Sequence, residues 1–178
     1  MIAIGWNKIK NLRKIHVKAA LEALHKKAYP RETKGAQAIN IGQAWAFCKE
    51  MEKGDIILTP NPLTRTIYIG RVKSDYLYHR RPLGEMDYAH RRKVTWEKEV
   101  SRDVFSLDLR HSIGSLMTLF NIDKHADEIE AVLAGKIGGI AAKSRIAFPK
   151  KLKEEVSIGG NCFAHKMLHR RRREEVQK

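Results

Sequence analysis

Gly54-Asp55-Ile56-Ile57-Leu58-Thr59-Pro60 is followed a few residues later by Arg65-Thr66-Ile67-Tyr68-Ile69-Gly70-Arg71-Val72. The first segment is an apolar run that opens at a Gly-Asp turn. The second is β-branched and aromatic, and one glycine interrupts it. Both read as strands joined by a Pro/Asn loop. A run that is apolar on both faces belongs at the centre of a small sheet or barrel. Gly70 predicts a bulge, or a place where another backbone comes close.

Upstream of this pair, Met1-Ile2-Ala3-Ile4-Gly5 reads as a short edge strand. A helix is predicted over Ile15–Lys27, with Ala20, Leu21, Leu24 and Ala28 at helical spacing, and it stops before Pro30. Arg31–Gln37 reads as a polar loop. A second helix is predicted over Ile39–Lys53, with Ile41, Ala44, Trp45, Cys48 and Met51 on one stripe and Gly54 as its stop.

Downstream, Ser74–Pro82 reads as a short strand running into a loop, and Tyr88–Glu97 as a strand with Arg92, Val94 and Trp96 on one face. Val100–Ser106 is a turn and Leu107–His111 a helical turn. Gly114–Ile122 is apolar enough for a buried strand. Asp123 is placed to cap a last helix over Ala126–Ala134, with Ile129, Val132 and Leu133 inward and Gly135 as stop. Five or six strands in one block with three helices predict an α+β domain: a small, strongly curved mixed sheet or barrel flanked by helices. That domain is expected over residues 1–135, with 136–178 a basic C-terminal tail or linker.

The 178 residues carry a net charge of +15, which predicts attraction to a polyanion, nucleic acid first and an anionic membrane surface second. Residues 1–35 hold nine Lys/Arg against Glu22 and Glu32, and residues 143–178 hold eleven against four glutamates. A solvated face or a disordered tail is the ordinary reading of both runs, and for the C-terminal one it stands level with a binding role. No segment has the length of a membrane span and Met1–Gly5 lacks the apolar core of a signal peptide, so a cytoplasmic protein is expected. Cys48 and Cys162 form neither a disulfide framework nor a metal motif.

Several motifs nearly appear. Gly138-Gly139-Ile140-Ala141-Ala142-Lys143-Ser144 lacks the glycine a phosphate loop needs before its lysine. Glu32-Thr33-Lys34 has the carboxylate-x-lysine form of metal-dependent nucleases, but it stands in a polar loop with only Glu22 as an acidic companion upstream. His165 and His169 lack the glutamate of a zinc protease and are flanked by arginines. No catalytic residue, metal site or cofactor is therefore predicted.

Aromatic residues interleaved with cations are the positive signal. Tyr76, Tyr78, His79, Arg80 and Arg81 form one cluster; Tyr88, His90, Arg91, Arg92 and Lys93 form another. Cations neutralise phosphates, and rings stack on bases for about 1–3 kcal/mol each. Trp45 lies on the helical core stripe, so burial alone would explain it. With Asn40 and Gln43 it would equally line a base-sized pocket: a ring to stack on and amides to read an edge. Ser112, Gly114 and Ser115 are either turn chemistry or the polar wall of such a pocket.

An ordered set of residues carries a family resemblance. Gly5-Trp6, Ala28-Tyr29-Pro30, Lys34-Gly35-Ala36, Gly42-Gln43-x-Trp45-x-Phe47, Glu50-Met51-x-x-Gly54-Asp55, Ile69-Gly70-x-Val72, Asp75-Tyr76-x-Tyr78, His90-x-Arg92-x-Val94-x-Trp96 and Ile113-Gly114-Ser115 stand in sequence. Over about residues 2–122 this order resembles the N-terminal domain of Mrr- and McrB-type restriction-system proteins. That domain is EVE-like, within the PUA-like group that also holds the YTH readers.

The resemblance implies a barrel-like sheet with helices at its side and a pocket for a flipped, modified base. Mapped onto this chain, the implied base pocket is Asn40, Gln43, Trp45, Thr59, Tyr76, Ser112 and Ser115. Tyr78, Arg80, Arg81, His90, Arg91, Arg92 and Lys93 would then hold the nucleic-acid backbone. The implied function is a non-enzymatic DNA-binding module of a modification-dependent restriction system, reading N6-methyladenine first and a modified cytosine second. Nuclease or GTPase chemistry would belong to a partner or to another part of a longer protein. A PUA-like RNA-binding protein is the alternative, because nothing here reads or excludes the sugar 2′-hydroxyl.

Overall fold

The computed structural model describes residues 1–61, 63–80, 88–115 and 117–136, together with the backbone of 165–168. In chain order the elements are β1 (Ile2–Ile4), α1 (Lys18–Ala28), α2 (Lys34–Trp45), β2 (Ile56–Asn61), β3 (Thr66–Val72), β4 (Leu77–Tyr78), β5 (His90–Arg92), β6 (Val94–Ser101), α3 (Leu107–Ile113), β7 (Leu119–Asn121), α4 (Ala126–Leu133) and β8 (His165–Leu168). The chain is a mixed α+β protein. Among the described residues its strands make two open sheets, ordered β1-β5-β4 and β6-β3-β2-β8-β7, and no barrel closes.

β2 is central, as its two-sided apolar character predicts. It pairs antiparallel with β3, Ile57 opposite Gly70 and Leu58 opposite Ile69, and antiparallel with β8 on its other edge. β8 in turn runs parallel to β7. Successive side chains of a strand point to opposite faces, and β2 uses both. Ile57 joins one core with Ile2, Ile4, Ile9, Leu12, Leu21, Ile41, Phe47 and Tyr76. Ile56 and Leu58 join a second with Ile67, Ile69, Leu109, Ile113, Ile129 and Val132.

Gly70 sits where the β3–β6 register shifts by one residue. A Cβ there would lie 2.6 Å from Thr95 O, 2.7 Å from Trp96 Cε3 and 2.7 Å from Val94 Cγ1. Only glycine permits so close an approach.

The single strand expected over Tyr88–Glu97 divides at Lys93. Lys93 N bonds Ser74 Oγ at 2.8 Å and its carbonyl accepts from Lys73 N at 2.8 Å. These bonds take the backbone out of both ladders, so β5 and β6 belong to different sheets, and Arg92 is parted from Val94 and Trp96.

The helices also shift. α1 begins at Lys18, which turns Leu21 and His25 inward and leaves Leu24 exposed. α2 begins inside the expected polar loop, because Thr33 Oγ1 accepts from Ala36 N at 3.2 Å and so supplies an N-cap. It runs on into a π-helical turn, Ala46–Glu50, closed by Met51 N to Ala46 O at 2.8 Å. The expected buried strand over 114–122 shrinks to β7. Asp123 opens a 3₁₀ turn, and the residue before α4, His125, makes no side-chain cap bond. Gly135, at φ +74°, ends α4 as expected.

No helix among the described residues is long and apolar enough to cross a membrane. Residues 137–164 and 169–178, which make up most of the expected tail, lie outside the described residues, as does Arg81.

Candidate functional site

α2 carries three of the expected pocket residues. Asn40 is half-buried and donates to Glu32 Oε2 at 3.1 Å. Gln43 is buried, and its Oε1 accepts from Leu119 N at 2.9 Å, tying α2 to β7. Trp45 is half-buried against the first core.

Thr59 is buried on β2, opposite Tyr68. Tyr76 belongs to the first core with only 6% exposure. Ser112 and Ser115 stand elsewhere, at the end of α3 beside the second core. Ser112 Oγ meets His125 Nε2 at 3.1 Å, and Ser115 Oγ accepts from Met117 N at 3.3 Å. Trp45 and Tyr76 thus share the first core, Gln43 bonds its Leu119, and the two serines do not join them.

The Tyr76 hydroxyl is already committed. It accepts from Leu12 N at 3.3 Å and meets His90 Nδ1 at 2.7 Å, while His90 Nε2 faces Trp6 O at 3.4 Å. A hydroxyl donating to Nδ1, with the ring proton on Nε2 donating to Trp6 O, satisfies every group. Burial pushes the Tyr76 hydroxyl well above its ordinary value and lowers His90, so both stay neutral. Cys48, beside this network, is pushed up to about 12 by burial.

The cationic cluster needs correction. His90, Arg91 and Arg92 are only 1%, 3% and 3% exposed and therefore do not present cations to solvent. Arg92 donates to Phe47 O at 2.7 Å, Ser74 O at 3.1 Å and Cys48 O at 3.4 Å. It serves carbonyls at the end of the α2 extension, which lack helical partners. Arg91 Nε donates to Tyr88 O. His79, Arg80 and Lys93 are exposed and Tyr78 is half-buried against the first core.

Two features escaped the sequence reading. The first core is bordered by several half-buried rings, Trp6, Tyr29, Trp45, Tyr78 and Trp96. Trp6 adopts φ +63°, a conformation costly for a bulky side chain, and the Trp96 indole nitrogen is buried with no hydrogen-bond partner among the described residues. The second feature is the loop after β1, where Lys8, Lys10, Arg13 and Lys14 are exposed around buried Ile9 and Leu12. Among the described residues no group of three or more metal-ligating side chains comes together.

Over residues 1–123 the chain matches the family described as Domain of unknown function (DUF8426), and it belongs to that family. No curated protein and no solved structure matches it.

Proposed function

We propose that this DUF8426 member is a nucleic-acid-binding module of a modification-dependent restriction system, and that it takes a flipped, modified base against its half-buried rings. One observation carries the reading. On a chain of net charge +15, the rings Trp6, Trp45, Tyr78 and Trp96 border a single core, and exposed cations stand in the segments beside them. A half-buried ring leaves part of its surface open, and stacking on such a ring recovers part of the few kcal/mol that unstacking a base costs. The cations hold phosphates without reading sequence.

The resemblance to EVE-like and YTH-like domains supports a PUA-like curved architecture behind this pocket. It also orders the ligands, N6-methyladenine before a modified cytosine. The module binds; nuclease or GTPase chemistry is assigned to a partner or to another part of the restriction system.

The test is a titration at physiological salt of matched duplexes carrying N6-methyladenine, 5-methylcytosine or no modification, beside the same sequences as RNA. A preference of about tenfold, or ~1.4 kcal/mol, for one modified duplex supports the pocket. Trp45→Ala should abolish that preference while leaving binding to plain DNA within about threefold. Tyr76 is a poor probe, because its hydroxyl holds Leu12 and His90 inside the fold. Equal binding to every duplex would remove the pocket. Tighter binding to RNA would transfer the function to the RNA-binding alternative.

A further inference from the structure

We infer that the loop over residues 7–17 is a preformed phosphate-binding surface, on which Lys8, Lys10, Arg13 and Lys14 bear the backbone of a nucleic-acid strand. The inference rests on the nucleic-acid reading and moves its main electrostatic contact away from residues 90–92.

A run of cations is ordinarily a solvated face, but three observations separate this one from that default. The first is order. Ile9 and Leu12 are buried plugs, Ile9 N bonds Trp6 O at 2.8 Å and Leu12 N bonds Tyr76 Oη at 3.3 Å. Asn7 Oδ1 accepts from Ala89 N at 3.1 Å, Lys49 Nζ donates to Arg13 O at 3.1 Å, and Lys8 Nζ lies 5.4 Å from the Tyr29 ring centroid. A loop pinned in this way has already met the ordering cost that a flexible basic segment meets on binding.

The second is the lack of internal neutralisation. Each ion pair between a Lys or Arg and a carboxylate among the described residues uses cations from Lys53 onward. The third is asymmetry. Residues 1–53 hold eleven Lys/Arg against Glu22, Glu32, Glu50 and Glu52, whereas residues 94–136 hold five against eight carboxylates. The positive excess is therefore uneven along the chain, and this loop opens directly from half-buried Trp6. A strand whose base reached the rings would have its phosphates near these cations.

The experiment measures duplex affinity of the whole chain against salt for the wild type and three variants. Lys10→Glu/Lys14→Glu removes two cations that make no described side-chain contact. Lys10→Arg/Lys14→Arg keeps the charge. Lys124→Glu/Lys136→Glu makes the same change in net charge on the carboxylate-rich half. The first should lose at least about tenfold in affinity and flatten the log–log salt slope by about 2, near 0.9 per phosphate contact. The other two should stay within about threefold, and all should melt within a few degrees of the wild type.

Equal loss in the Lys124/Lys136 variant would overturn the surface, because net charge alone would then be acting. So would an unchanged slope in Lys10→Glu/Lys14→Glu while the wild type binds well. Wild type that binds neither DNA nor RNA overturns the underlying reading instead. If it then binds phosphatidylserine vesicles, the loop is a membrane contact and the phosphodiester assignment falls.

Discussion

Arg92 ties β5 to the helical layer and to the segment before β4, since its guanidinium donates to Phe47 O and Cys48 O of the α2 extension and to Ser74 O. Lysine keeps the charge but cannot reproduce a planar fork. Arg92→Lys should therefore cost about 1–3 kcal/mol, read as a lower urea midpoint at unchanged slope. Gly70→Ala should cost a similar ~1–3 kcal/mol, because its methyl would meet backbone at Thr95 as well as two side chains. Histidines give the pH dependence. Burial holds His90 and His25 below the ordinary 6.5, with Glu32 partly offsetting it at His25. The unfolded chain then binds these protons first. Stability is full above about pH 6.5 and falls below it, by up to ~1.4 kcal/mol per pH unit for each ring. The His25 ring nitrogens make no hydrogen bond among the described residues, so His25→Leu should reduce the acid slope in pH-dependent melts without loss at pH 8. At this scale Gly70 was readable, since a lone glycine in a β-branched run has few other meanings. Arg92 was not, because its partners are main-chain oxygens 44 and 45 residues away that no side-chain pattern announces.

Among the elements, α2 matters most, because it delivers Asn40, Gln43 and Trp45 together. Its first turn depends on Thr33, and Thr33→Ala should cost about 1 kcal/mol in chemical denaturation. Lys34-Gly35 looked like loop, and the threonine cap outweighs the glycine. β2 and β3 were legible from composition alone, since apolarity on both faces is what a strand between two cores requires. The break between β5 and β6 was hidden because Lys93 is held by Ser74 and Lys73. Those contacts come from a turn some twenty residues earlier, and alternation along 88–97 carries no trace of them.

For the whole molecule, the net charge of +15 predicts kinetics as well as affinity. Association with duplex should slow steeply as salt rises from about 10 mM to 150 mM, where the screening length shrinks from roughly 30 Å to 8 Å, while dissociation changes less. Stopped-flow fluorescence of the tryptophans would follow both. Net charge was plain in the sequence, but its exposure was not. Of the cluster at residues 78–93, His90, Arg91 and Arg92 turned inward, while His79, Arg80 and Lys93 stayed exposed. The loop after β1 holds Lys8, Lys10, Arg13 and Lys14 exposed on an ordered backbone, and nothing in Lys8-x-Lys10 told order from disorder.

β1 pairs with β5, Ile2 opposite Arg92 and Ile4 opposite His90. The ribosome therefore releases the first strand long before its partner exists. At about 5–20 residues per second the wait is roughly 5–18 s. During that interval Ile2, Ala3 and Ile4 have no ladder to join, and the nascent chain offers chaperones an apolar handle there.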